Sequence, residues 1–141
     1  MFGPASIGRA RSCKERDARS YLWDMGEAAD AIARFTTGMD SVSYAENEIV
    51  RAAVERKFEI IGEALPQLAK RDPVLARRVP DCRDIIAFRN LLIHGYAVVD
   101  HDEVWDAVQT SLPGLRAAVA ALLGELGPGI HYSDRPMRPD F

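Results

Sequence analysis

Between Leu22 and Phe35, apolar side chains recur at three- and four-residue steps: Leu22, Met25, Ala28, Ala29, Ile32 and Phe35. That spacing predicts an amphipathic helix with one stripe turned inward. Ser12-x-x-Glu15 has the form of a capping box ahead of it, and Gly38 is its expected stop. Ser43-Tyr44-Ala45-Glu46 has the same form, and Ile49, Ala52, Ala53, Phe58, Ile60, Ile61 and Leu65 follow. Arg51, Glu55, Arg56 and Lys57 are interleaved with them, which predicts a long second helix. Pro66 is expected to kink or end it, because proline lacks a backbone donor and crowds the preceding turn. Gly62 sits inside the same helix, where glycine costs about 1 kcal/mol relative to alanine. A close approach by another helix would explain it; the plainer alternative is flexibility near Pro66.

Asp72-Pro73 predicts a turn and Val74 to Val79 a short helix, and Pro80-Asp81 opens the next element. Ile85, Ile86, Phe88, Leu91, Leu92 and Ile93 fill more than one stripe, so this helix is expected to be buried on two sides. Gly95 is its expected end. Asp100-x-x-Glu103 resembles a capping pair for a last helix with Val104, Trp105, Val108 and Leu112 on its apolar face. Pro113-Gly114 is expected to interrupt it before Leu115, Val119, Leu122, Leu123 and Leu126 continue it. No segment alternates as a strand would. The expected fold is an all-α, up-and-down bundle of four or five helices. The helical domain is expected over 16–126, with a flexible arm over 1–15 and an irregular tail over 127–141.

A length of 141 residues, 48% hydrophobic and 28% charged, suits one globular domain. No apolar run reaches the roughly 18 residues of a membrane span, and the N-terminus lacks the apolar core of a secretory signal. Cys13 and Cys82 form no CxxC pair, so a reducing cytoplasm is the expected location. A net charge of −3 disfavours nucleic acid as a partner at first sight. The distribution is uneven, however: 69–96 carries a net +3, mostly arginine, and 97–126 a net −4. There is no phosphate loop, no GxGxxG turn and no HExxH pair. Cys82, His94 and His101 match no common zinc spacing, so no metal and no cofactor is expected. His101 and His131 read as solvent-exposed.

The segment Arg89-Asn90-Leu91-Leu92-Ile93-His94-Gly95-Tyr96 gathers chemistry at the end of an apolar helix. A histidine titrates near neutral pH and can act as acid or base. An arginine can hold the extra negative charge of a phosphoryl transition state. Asparagine supplies a donor and an acceptor. RNA cleavage can use the substrate's own 2′-hydroxyl as nucleophile and then requires no metal. Arg89 and His94 lie five residues apart, about 140° around a continuous helix. Either the helix opens before Gly95, or a second copy of the chain completes the site. The plainer alternative is a histidine favourably placed near a helix C-terminus beside an arginine that caps carbonyls or pairs with a carboxylate.

The Arg-x4-His-x-Tyr pattern at Arg89, His94 and Tyr96 resembles the signature of the HepT-like ribonuclease toxins of the HEPN superfamily. Glu59-Ile60-Ile61-Gly62-Glu63-Ala64 resembles the family's second-helix stretch. Arg83-Asp84-Ile85-Ile86-Ala87-Phe88-Arg89-Asn90 resembles the approach to the motif. Val104-Trp105-Asp106-Ala107-Val108-Gln109 through Leu112-Pro113 resembles the final helix. The likeness spans Arg19 to Leu126, and it departs at Asp81-Cys82, where a Pro-Trp pair is common.

The resemblance implies a dimeric HEPN-like bundle and a metal-independent endoribonuclease of a type VII toxin–antitoxin system. By carry-over, Arg89 and His94 are the catalytic pair and Asn90 a supporting polar residue. Tyr96 is the implied acceptor of AMP from a cognate MntA-type nucleotidyltransferase antitoxin. The implied partners are RNA, a second copy of the chain and that antitoxin, with no membrane. The alternatives are a non-catalytic HEPN module that binds nucleotide or substrate for a nucleotidyltransferase, and a plain helical dimerisation domain.

Overall fold

The structure is a computed structural model that describes residues 17–94 and 99–127. Those residues form four long helices and two short ones, with no strand among them. The long helices are α1 (Ala18–Phe35), α3 (Glu48–Arg71), α5 (Cys82–His94) and α6 (His101–Leu126). The short ones, α2 (Ser41–Glu46) and α4 (Pro73–Ala76), lie in the connections. The all-α bundle expected from periodicity is therefore what the chain forms.

Side-chain caps set the helix starts. The Asp17 carboxylate accepts the Ser20 amide at 2.9 Å and starts α1. Asp40 and Ser43 bond reciprocally at 2.8 and 2.9 Å, a capping box that starts α2. Ser43 is thus the third residue of a short helix rather than the cap of the long one. The cap of α3 is Asn47, whose side chain accepts the Val50 amide at 3.0 Å. Asp72 caps α4 through the Leu75 amide at 3.0 Å, with Pro73 as the first helical residue, where proline is tolerated. Asp100 caps α6 through the Asp102 amide at 2.9 Å rather than through a pairing with Glu103. The proposed cap at Ser12 and Glu15 lies outside the described residues, as do Cys13 and His131.

One hydrophobic stripe per helix builds the core. Leu22, Met25, Ala28, Ala29 and Ile32 of α1 are buried, as the three- and four-residue spacing predicts. They meet Val54, Phe58, Ile61, Leu65 and Leu68 of α3 and Val104, Val108, Leu112, Leu115, Val119 and Leu122 of α6. α1 packs against both α3 and α6, and α5 packs against the outer side of α3. Tyr44 of α2 is fully buried and lies beside Trp105 of α6, with ring centroids 5.2 Å apart.

Neither internal proline breaks its helix. α3 runs through Pro66 to Arg71, and α6 runs through Pro113 to Leu126. A mid-helix proline costs roughly 3 kcal/mol. Burying a leucine contributes about 1.5–3 kcal/mol. Leu65 and Leu68 flank Pro66 in the core, and Leu112 and Leu115 flank Pro113. Tertiary packing on both sides of each proline therefore outweighs the lost backbone bond and keeps the helix continuous.

The expectation that α5 is buried on two sides fails within one chain. Only Ile85 of α5 is buried, while Leu91 is 49% and Ile93 38% exposed. α3 covers one flank of α5, and the opposite flank has no large contact with another helix among the described residues. No described helix is long and apolar enough to cross a membrane.

Candidate functional site

The site begins with a missing side chain. A Cβ added to Gly62 would lie 2.6 Å from the Arg89 Cγ and closer still to the Arg89 Cβ. It would also lie 3.5 Å from the Ile85 carbonyl oxygen. No real side chain fits there, so glycine at this position lets α5 rest directly on the α3 backbone. One turn away, Phe58 and Phe88 meet edge to face with centroids 5.2 Å apart and hold the same contact. The helix–helix approach expected from an interior glycine is therefore present, and Arg89 is the residue it admits.

The Arg89 side chain is fixed along most of its length. Its stem lies against Gly62, and its side chain is only 28% exposed. Nη1 donates to the Asn90 Oδ1 at 3.1 Å. Nη2 lies 3.6 Å from Oε1 of Glu63. Nε is buried and has no hydrogen-bond acceptor among the described residues. A guanidinium carries five donors, so Arg89 retains capacity for an anion. It opens onto a groove of about 570 Å³ whose lining includes Asp24 of α1, Glu63 and Gln67 of α3, and Arg89 and Asn90 of α5.

His94 is placed differently. α5 is helical through His94, so it does not open before that residue. His94 is exposed and sits about 140° around the helix from Arg89. It does not line the groove. One chain thus brings Arg89, Asn90 and Glu63 together and leaves His94 apart. Gly95 and Tyr96 lie outside the described residues.

Glu63 was missed as a site residue by the motif, which names only residues of α5. The available signal was its place directly after Gly62, the one interior glycine that called for a close helix contact. The basic stretch over 69–96 is also partly neutralised. Arg78 is held by Glu125 at 2.9 and 2.6 Å, and Arg89 faces Glu63.

The remaining candidates fall elsewhere. Cys82 is half-buried, with Sγ 3.3 Å from the Ala76 carbonyl oxygen and 3.2 Å from that of Val79. Burial, with Asp81 nearby, pushes its thiol above the usual range, so it is held as a neutral hydrogen-bonding group. His101 is not the exposed residue expected: it is half-buried, with a buried Nδ1 that has no partner among the described residues. Its charge acts on Glu55, which in turn acts on Tyr44, whose phenol burial pushes up. Burial raises the Glu55 carboxyl, and His101 and Arg51 draw it partly back. No three His, Cys, Asp or Glu side chains among the described residues are arranged to hold a metal ion.

Residues 25–122 match the protein family described as "Ribonuclease HepT-like". The "Putative RNase MJ1380" of Methanocaldococcus jannaschii is 31% identical over 105 residues, which is 74% of this chain and 95% of that protein. The "Probable ribonuclease HepT" of Thermococcus cleftensis is 31% identical over 102 residues, 72% of this chain and 92% of that protein. A third relative, the "Putative RNase MJ1216" of Methanocaldococcus jannaschii, is 28% identical over 112 residues, 79% of this chain and 92% of that protein. No solved structure matches the chain.

Two glycine substitutions separate the contact from helix propensity. Gly62→Ala must push α5 off α3, and overpacking of this kind costs about 1–3 kcal/mol. Gly124→Ala meets nothing within 4 Å and is expected to stabilise by roughly 0.4–1 kcal/mol. Thermal denaturation of the two variants should therefore shift in opposite directions. A Gly62→Ala variant as stable as the parent would mean that α3 and α5 do not touch at this point.

Proposed function

Because the chain belongs to the HepT-like ribonuclease family, we propose that it is an endoribonuclease toxin that cuts RNA in a cleft shared by two copies of itself. The observation that carries this reading is the separation of Arg89 and His94 on an unbroken α5. Arg89 opens onto the groove, and His94 points to solvent a partial turn away. A two-fold pairing of α5 with a second α5 brings the Arg89 of each copy toward the His94 of the other. The exposed Leu91 and Ile93 support such a pairing, since they lie in the turn before His94 and stay open to solvent among the described residues.

The chemistry follows from the residue types. The 2′-oxygen of a ribose attacks the adjacent phosphorus, and the bond to the 5′-oxygen breaks. The products are a 2′,3′-cyclic phosphate end and a 5′-hydroxyl end. Neutral His94 takes the proton from the 2′-hydroxyl, and the imidazolium so formed returns it to the departing 5′-oxygen. Arg89 stabilises the charge that builds on the phosphoryl oxygens. Asn90 accepts from Nη1 of Arg89 and steadies it. Each step uses a side chain of the motif, so the mechanism needs no metal ion.

Regulation of the type VII kind fits the same layout. A cognate MntA-type nucleotidyltransferase would transfer AMP from ATP to the Tyr96 hydroxyl and release pyrophosphate. Tyr96 follows His94 by two residues, so the adduct would set a bulky anion beside the cleft and repel RNA phosphates. Co-expression with the cognate nucleotidyltransferase should add the mass of one or more AMP groups, and Tyr96→Phe should abolish the addition. An unmodified Tyr96 beside a demonstrably active partner would remove this part of the proposal.

The shared cleft is tested by complementation. Arg89→Ala and His94→Ala should each be inactive alone. Co-expressed in equal amounts, they should recover about a quarter of parental RNA cleavage, because half of randomly paired dimers then carry one intact site of two. Two inactive variants that stay inactive together, while forming mixed dimers, would overturn the shared site. Parental protein that binds nucleotide but never cleaves RNA would favour the non-catalytic binding module.

A further inference from the structure

Resting on the ribonuclease reading, we infer that Glu63 is a positioning residue for Arg89, and that it weakens RNA binding while it aligns the guanidinium for cleavage. The stem of Arg89 is pinned by the absence of a Cβ at Gly62, the residue immediately before Glu63. The head has two side-chain neighbours, one from each helix. Asn90 of α5 accepts from Nη1 at 3.1 Å, and Oε1 of Glu63 of α3 lies 3.6 Å from Nη2. The guanidinium therefore spans the groove between α3 and α5, with Nε buried and unpartnered.

The Glu63 contact is loose and half-exposed, with 47% of the Glu63 side chain reachable by solvent. Such a pair adds little to fold stability. Its effect falls on the groove instead. Asp24 and Glu63 both line the space into which Arg89 opens, so the charged side chains of the lining are two carboxylates and Arg89. A carboxylate there repels an incoming phosphodiester. A fixed guanidinium, by contrast, contributes most where charge develops in the transition state. Glu63 thus has opposite effects on the two stages: it opposes ground-state binding and favours turnover.

Steady-state RNA cleavage by three proteins separates these effects from a structural role. Glu63→Ala removes both charge and contact, and should lower KM about threefold or more while lowering kcat on the order of tenfold. Glu63→Gln removes the charge and keeps an acceptor for Nη2. It should lower KM similarly and retain most of kcat. Both should melt close to the parent. In parallel, the ¹⁵N–¹H signal of the Arg89 Nε–H, identified by its loss in Arg89→Lys, should shift and broaden in Glu63→Ala.

A Glu63→Ala variant with parental kcat, with a raised KM, or with an unchanged Arg89 signal would overturn the inference. A kcat loss matched by an equal loss of folded protein would overturn it as well. If the parent itself cleaves no RNA, the ribonuclease reading fails and the role of Glu63 falls with it. That result is distinct from an active parent whose Glu63 variants behave identically to it.

Discussion

The close approach of α5 to α3 at Gly62 governs the geometry of the site. Interior glycine weakens α3 by about 1 kcal/mol relative to alanine. The same absence of a Cβ lets the first atoms of Arg89 lie against the helix backbone. Everything else at the site follows from that contact. It sets the groove between the helices, brings Glu63 beside the guanidinium and places Asn90 on its other side. The Phe58–Phe88 pair one turn away holds the two helices at that spacing.

The core and the site divide the chain between them. α1, α3 and α6 bury continuous stripes against one another and account for most of the buried side chains. Among the described residues, α5 buries only Ile85 and packs mainly against α3. Its Leu91 and Ile93 stay exposed among the described residues, and it carries the motif. That combination is what a helix needs if it is to serve two neighbours, one within the chain and one outside it.

Much of the fold was legible before the structure, because periodicity reports burial directly. The inward stripes of α1, α3 and α6 are the residues that the spacing picked out. The errors cluster where a local rule met packing. Pro66 read as a kink or an end and Pro113 as an interruption, yet neither helix ends there, with buried leucines on both sides of each proline. The Ser43 cap belonged to a six-residue helix whose own cap, Asp40, lies outside the pattern sought. Six apolar residues on α5 read as two buried faces, but hydrophobicity does not say which chain covers a face. Arg89, Asn90 and His94 were found by chemistry and by likeness to a family. Glu63 was not, since its place beside Arg89 depends on a cross-helix contact that only the adjacent Gly62 hinted at.

In the proposed reaction, Arg89 in its groove and the His94 of a second copy carry out metal-independent cleavage through the substrate's 2′-hydroxyl. The most direct measurement uses a DNA oligonucleotide carrying a single ribonucleotide, incubated with unmodified protein in excess EDTA and analysed by mass. One cut, at that ribonucleotide, leaving a 2′,3′-cyclic phosphate, with the all-deoxy oligonucleotide untouched, is the predicted result. Cleavage of the all-deoxy strand, a linear phosphate as the first product, or activity that vanishes with EDTA and returns with a divalent metal would contradict it.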